Sequence, residues 1–220
     1  MGREALAVFE ELTNSWSICY SLINLAIVLE FKEDLAGSQE ASIRAADIAR
    51  RIGDRRGLNL ALQQLSRKAL RDGREQKAIA ALQEAIGLVR GLGDQAGIAA
   101  VLDCGHQIAM KAEVDVEAAI YFLAAVQLRQ RLGIARGPRD MALAAEAEKQ
   151  LIERLGADGY AQFAAEMPAR LDAEGGSGML DTLESWLAAS LNRGDRSIAT
   201  RVTTTVPRSF SFFFYTAVQE

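Results

Sequence analysis

The sequence contains Ile52-Gly53-Asp54, Leu92-Gly93-Asp94 and Leu132-Gly133-Ile134, three copies of one short stretch that lie 40 residues apart. A second column of glycines, at positions 57, 97 and 137, keeps the same spacing. Only 18 of the 220 residues are glycine, so composition alone does not account for two aligned columns. Self-similarity at a fixed period is the signature of a repeat protein. We therefore expect an array of similar units along this chain.

Each unit is expected to contain two helices, because its apolar residues recur at helical spacing in two groups. After Asp54 the first group is Leu58, Leu62, Leu65 and Ala69, and the second is Ile79, Leu82, Ile86 and Val89. Short turns at 32–34, 72–74 and 113–115 separate such groups along the chain. The pattern predicts an all-α solenoid of helical hairpins, in which each unit buries its apolar face against its neighbours.

The Gly-Asp dipeptide between units is explained by the ends of helices. Gly53 and Gly93 suit the left-handed residue just after a helix, where glycine is favoured. Asp54 and Asp94 suit the N-cap of the next helix, where a side-chain oxygen accepts a hydrogen bond from a free backbone N–H group. We therefore predict a structural role for these four residues.

The register of the repeats divides the chain into four regions. Repeats are expected over 1–137, the first one incomplete because Met1 aligns with the second helix of a later unit. Two capping helices are expected over 138–174, and a linker with one extra amphipathic helix over 175–200, with a flexible glycine-rich break at 174–178. Residues 201–220, with an aromatic cluster from Phe210 to Tyr215, predict a disordered tail. An aromatic anchor for a partner or a membrane surface is the alternative for this tail.

Composition and charge favour a soluble cytoplasmic protein. The chain has 25 basic and 29 acidic residues, a net charge of −4 and no long block of like charge, which disfavours direct binding to nucleic acid or to an anionic membrane. No apolar run approaches the roughly 20 residues of a membrane span, and the first residues lack the pattern of a secretory signal. Cys19 and Cys104 are too few for a disulfide framework, which points to a reducing compartment.

The residue types needed for catalysis or for metal and cofactor binding are not assembled in the sequence pattern. His106 is the only histidine, and no cysteine or carboxylate is spaced to form a metal-ligand set with it. Cys104 lies two residues away, on a different side of a helix, so a Cys–His nucleophile is disfavoured. The sequence has no GxxxxGK[ST] phosphate loop. We expect a non-enzymatic protein without a cofactor or a metal.

A solenoid of helical hairpins offers a groove lined by the first helices of successive units. Polar positions outside the leucine stripe of those helices are the candidates for contact with a partner helix or extended peptide. The candidates are Trp16, Asn24, Arg56, Asn59, Gln63, Arg67, Asp103 and Gln107. Four arginines lie within 50–56, and two roles are open for them: ion pairing with the acidic residues at 40, 47 and 54, or contact with an anionic peptide or nucleotide.

The run from Leu92 to Cys104, with 117–119, 124–133 and 137–139, resembles the tetratricopeptide-like region of bacterial multidomain regulators. These are the signal-transduction ATPases of NB-ARC type and the LuxR-, AfsR- and MalT-like transcription regulators. The resemblance covers about residues 12–172. It departs at Gly105 and His106, where that family favours a leucine and a small residue, so a local repacking of helices is expected there.

The resemblance implies a role in protein–protein interaction or signal sensing, within a larger protein that acts in signal transduction or transcription regulation. The implied partner is a protein or peptide, or another domain of the parent chain, and self-association is a further possibility. The alternative is that the chain is a fragment of an ATPase or nucleotide cyclase regulator whose catalytic domain lies elsewhere. The candidate partner-binding residues are chosen only by their position on the first helices of the units.

Overall fold

The computed structural model describes residues 14–191. Over that range it contains eight α-helices and no strand, which confirms the expected all-α class for those residues. The helices are α1 (Ser15–Phe31), α2 (Leu35–Ile52), α3 (Arg55–Arg71), α4 (Glu75–Leu92), α5 (Gln95–Lys111), α6 (Asp115–Leu132), α7 (Pro138–Leu155) and α8 (Ala157–Leu191). None of the helices described is long and apolar enough to cross a membrane. The tail predicted at 201–220 and the start of the incomplete first repeat lie outside the described residues.

The first six helices alternate between two lengths. Helices α1, α3 and α5 have 17 residues each, and α2, α4 and α6 have 18. Each shorter helix packs against the longer helix that follows it, and α3 also contacts both α1 and α5. The three shorter helices therefore adjoin one another, and we call the surface that their polar residues form the first-helix face.

The junctions between hairpins are built as the Gly-Asp pattern predicts. Gly53 and Gly93 adopt the left-handed conformation at the ends of α2 and α4, with φ of 72° and 61°. A carboxylate oxygen of Asp54 accepts a hydrogen bond from the N–H of Gly57, and Asp94 does the same for Gly97, both at 3.0 Å. The predictions for both N-caps and both helix ends are confirmed.

The caps also explain the second glycine column, which the sequence pattern alone did not. A Cβ atom at Gly57 would lie 2.5 Å from Oδ2 of Asp54, and one at Gly97 would lie 2.8 Å from Oδ2 of Asp94. Real Cβ atoms do not approach an oxygen so closely, so the capping carboxylate would have to shift from its present position to admit a side chain at 57 or 97. Gly137, where Ile134 replaces the aspartate, meets no atom within 4 Å.

The C-terminal part differs from the predicted linker. Helix α8 runs on through 174–178, and Gly175 is the only residue inside it with non-helical dihedral angles, φ 66° and ψ 179°. Gly176 is buried, and a Cβ there would lie 2.7 Å from Oε1 of Gln95 and 3.3 Å from the Ile98 side chain. These glycines form a kink that fits against α5, and the expected flexibility of this stretch stays a prediction.

Candidate binding face

One end of the first-helix face carries an aromatic pair next to a cation. The rings of Trp16 and Tyr20 on α1 are 4.4 Å apart between centroids, and Trp16 is 57% exposed. Burial and the negative charge of Asp54 raise the pKa of Tyr20, while the positive charge of Arg56 acts in the opposite direction. Arg56, on the first turn of α3, therefore acts electrostatically on Tyr20 and is itself exposed. Asn24, further along α1, is also exposed.

The middle of the predicted groove is closed to a partner. Asn59 and Gln63 are only 1% and 2% exposed, and the side-chain amide of Gln63 donates a hydrogen bond to the side-chain oxygen of Asn59 at 3.1 Å. Asn59 follows the buried Leu58 by one position, and Gln63 follows the buried Leu62 in the same way. The buried side of α3 therefore covers more of the helix circumference than the leucines alone indicate. The assignment of these two residues to an open groove is wrong, since both side chains are buried and are hydrogen-bonded to each other.

The other end of the face holds a carboxylate between two arginines. Asp103 on α5 pairs with Arg129 of α6 at 2.5 Å and with Arg136 of the following connection at 3.3 Å. The Arg136 guanidinium also lies 6.0 Å from the centroid of the Phe122 ring. Asp103 is thus committed to internal ion pairs, although its side chain stays partly exposed at 22%. Arg67 on α3 and Gln107 on α5 are half-buried.

His106 has a structural role that the sequence did not specify. It is 6% exposed, and its Nδ1 lies 3.0 Å from the carbonyl oxygen of Ala118 on α6. Ser66, which lies 40 residues earlier, donates from its hydroxyl to the carbonyl oxygen of Ala78 at 2.9 Å. Burial is the main cause that lowers the pKa of His106, so the ring is neutral at pH 7. A neutral, buried ring that bonds the backbone of the next helix holds two helices together.

The two cysteines are buried, reduced and chemically quiet. Burial, and to a lesser degree the charge of Asp54, raises the pKa of the Cys19 thiol to about 11. Burial likewise raises the pKa of Cys104. Neither thiol is ionised at neutral pH, whereas a nucleophile or a metal ligand needs the ionised thiolate. No group of three or more potential metal ligands is present within 14–191.

The basic run near position 50 is explained in part by pairing inside the protein. Arg50 binds both carboxylate oxygens of Glu84 on α4, at 2.9 and 2.8 Å, and lies 3.8 Å from Asp47. The pairing partner is therefore mainly on the next longer helix rather than among the acidic residues at 40, 47 and 54. The carboxylate of Asp54 is used as the N-cap of α3. Arg56 is the arginine of this run that reaches the first-helix face.

A cleft of about 400 Å³ between α6, α7 and α8 has no counterpart in the sequence prediction. Its lining is mostly apolar, with Arg136 and Glu148 as the charged members. The hydroxyl of Tyr160 donates to Glu148 at 2.9 Å, and burial together with this carboxylate raises the pKa of Tyr160. The only sequence signal for it was the end of the repeat register after Gly137, which does not by itself indicate a cleft.

No family model, curated protein or solved structure was found to match this chain.

Proposed function

We propose that the chain is a tetratricopeptide-like solenoid with a repeat of about 40 residues that binds a protein or peptide partner and has no catalytic role of its own. The solenoid is supported by the positions of the helices: α1, α3 and α5 begin at 15, 55 and 95, and α2, α4 and α6 begin at 35, 75 and 115. It is also supported by the contacts of α3 with both α1 and α5, which bring equivalent helices of successive hairpins together.

The observation that carries the proposal is the exposed aromatic pair beside Arg56. Tryptophan, tyrosine and arginine are the residues most enriched among those that dominate the energy of protein interfaces. A tryptophan ring that is 57% exposed and packs against the tilted ring of Tyr20 offers an apolar anchor to a partner. Arg56 adds a cation that suits a carboxylate. The partner we propose is a peptide with an apolar or aromatic side chain next to an acidic residue.

Catalysis by this chain is disfavoured by what its reactive groups do in the fold. His106 is engaged with the carbonyl oxygen of Ala118, and the raised pKa values of the two thiols keep them protonated. We further propose that the module belongs to a cytoplasmic bacterial regulator and serves sensing or scaffolding there. The support is the resemblance of residues 92–139 to the repeats of such regulators, together with two reduced cysteines.

A selection from random peptide libraries on the full chain tests the proposal. We expect enrichment of peptides that combine an aromatic or large apolar residue with Asp or Glu. Trp16→Ala and Arg56→Glu should each weaken the selected peptides at least about tenfold, as measured by calorimetry or by fluorescence anisotropy. Ile43→Ala is the matched control, because Ile43 is 42% exposed but lies on α2. Selected peptides that bind all three variants equally well would disprove a site at the first-helix face.

A further inference from the structure

The C-terminal half of α8, residues 176–191, lies as a separate helix against the body of the protein, and we call it the docked helix. Five apolar side chains form its buried stripe, each with no more than 1% exposure: Met179, Leu180, Leu183, Trp186 and Leu187. Helix α8 contacts α4, α5 and α6 in addition to α7. The Trp186 ring lies 6.0 Å from the ring of Tyr121 on α6. The docked helix therefore fills a groove between two longer helices and above α5.

The groove contains a notch that fits a leucine of the docked helix. A Cβ atom at Gly105 would lie 2.6 Å from Cδ1 of Leu183, so only glycine admits this side chain. The residues 40 and 80 positions earlier are Leu65 and Leu25. In this hairpin the leucine of the repeat is missing, and Leu183 supplies an equivalent side chain from another part of the chain. The departure from the repeat pattern at Gly105 thus marks a receptor for the docked helix.

The ion pairs show the same replacement of a repeat residue by residues of the docked helix. Arg50 pairs with Glu84, while Arg90, 40 residues later, pairs with Asp181 at 2.6 Å and with Glu184 at 2.9 Å. The position 40 residues after Glu84 is Ala124, which is fully buried. The acidic partner of Arg90 is therefore carried by the docked helix instead of by the repeat. Shape and charge both make the groove specific for this helix.

A single residue joins the docked helix to the rest of α8. Gly175 has φ 66° and ψ 179°, a region of backbone conformation that is essentially restricted to glycine. Helical angles at this one residue would turn 157–191 into one continuous helix and carry 176–191 away from its own groove. The groove would then be open to an identical helix, and the released helix would be open to an identical groove.

We propose that this chain forms a dimer by reciprocal exchange of the docked helix, with residues 176–191 of each copy in the groove of the other. Every docking contact is the same in the closed monomer and in the exchanged dimer. The equilibrium between the closed monomer and the exchanged dimer therefore depends on the hinge at Gly175 and on protein concentration. Straightening the hinge restores the helical hydrogen bonds that the kink interrupts, which favours exchange. The contacts given for the docked helix include neither Trp16 nor Arg56, so the inference does not depend on the proposed function.

The docking itself leaves polar groups without a partner, which makes release less costly. The Tyr121 hydroxyl and Nε1 of Trp186 are both buried, and neither has a hydrogen-bond partner among the described residues. A buried polar group without a partner destabilises the state in which it is buried. When the helix detaches, both groups regain water.

Gly175→Ala in the full chain tests the hinge, with light scattering coupled to size-exclusion chromatography as the measurement. Alanine disfavours the kinked conformation and favours the helix, so each hinge should shift the balance about tenfold and a dimer with two hinges about a hundredfold. We expect a mass near twice 23.8 kDa at micromolar concentration. Gly159→Ala is the control, because it lies in the same helix and its Cβ would meet only Leu155, at 3.8 Å. A Gly175→Ala chain that stays monomeric at 200 µM, or a dimer formed equally by the control, overturns the proposal.

A complementation experiment tests which surfaces meet. Leu183→Asp removes a working docked helix but keeps the groove, and Gly105→Leu fills the notch but keeps the helix. Each variant alone should be monomeric, and an equimolar mixture should give a one-to-one complex. Circular dichroism on each variant checks that it remains helical, and the Gly175→Ala result stands by itself if one of them does not fold. A mixture of two folded variants without any complex overturns the exchange.

Discussion

Replacing Gly57 by alanine should remove the Asp54 cap, so the substitutions Asp54→Ala and Gly57→Ala should not be additive. The capping carboxylate accepts the N–H of Gly57, and its second oxygen would lie 2.5 Å from a Cβ at that position. In its present position the carboxylate leaves no room for a side chain at 57. We therefore expect either substitution alone to remove the cap.

The size of the effect follows from two ordinary contributions. Loss of an aspartate N-cap costs about 1 kcal/mol, and exchange of a helical glycine for alanine gains about 1 kcal/mol. Gly57→Ala should thus be nearly neutral in the natural chain, where the gain and the lost cap offset each other. In the Asp54→Ala background the same exchange should stabilise by about 1 kcal/mol, since no cap remains to be lost. The contact of the new Cβ with Sγ of Cys19, at 3.1 Å, is present in both backgrounds and cancels in the comparison.

Urea unfolding of the four chains, followed by helical circular dichroism, measures the coupling of the two sites. We expect a coupling energy of about 1 kcal/mol. Gly87→Ala serves as the control, because a Cβ at Gly87 on α4 meets no atom within 4 Å. Its gain should be the same with and without Asp54. A coupling below about 0.3 kcal/mol between positions 54 and 57 would refute the explanation of the glycine column by capping.

Three other substitutions have outcomes that follow from local geometry. Glu113→Gly should raise the free energy of unfolding by about 1 kcal/mol, since Glu113 has a left-handed φ of 57°; thermal melting measures it, and no gain would contradict strain at this turn. Leu102→Ala should lower stability by roughly 2–5 kcal/mol, because Leu102 is fully buried and the cavity adds to the lost burial; a loss under about 1 kcal/mol in urea would argue against a packed core at α5. Stability should fall as the pH rises from 9.0 to about 11, because the unfolded Cys19 thiol ionises before the folded one, whose pKa is raised. The part of this fall that belongs to Cys19 should vanish in Cys19→Ala, and an unchanged pH profile would disprove it.

The junctions between hairpins could be predicted from sequence because each depends on neighbours within four residues. Gly53 ends one helix, Asp54 caps the next, and the hydrogen bond to Gly57 closes the turn. Such short-range rules need no knowledge of the rest of the molecule. The positions of α1 to α6 follow from them, together with the helical spacing of the apolar residues.

The docking of 176–191 could not be predicted in the same way. The sequence showed an anomaly at Gly105 and an amphipathic helix after Met179, but nothing local connects the two. Their contact joins residues 78 positions apart, where Leu183 fills the space above Gly105. A glycine-rich stretch looked like a flexible break for the same reason, since the surface that buries Gly176 belongs to α5.

The exposure of the candidate residues was predicted only in part. Trp16 and Arg56 are on the surface as expected, but Asn59 and Gln63 are buried against the expectation for polar residues. A hydrogen bond between the two amides lowers the cost of burying them. The ion pairs of Asp103 come from α6 and the connection after it, so no inspection of α5 alone could find them.

The carbonyl group of the fourth residue in each longer helix shows how such hairpins can diverge. In α4 that carbonyl accepts from Ser66 and in α6 it lies against His106, both on the preceding shorter helix, while in α2 it accepts from Ser42 one turn further along. Ser66, His106 and Ser42 thus each form a hydrogen bond with the carbonyl at this position of a longer helix. An alignment that compares side chains column by column treats Ser66 and His106 as unrelated, although both face the same carbonyl position of the next helix. The same backbone acceptor thus recurs in all three hairpins, and a different residue provides its donor in each.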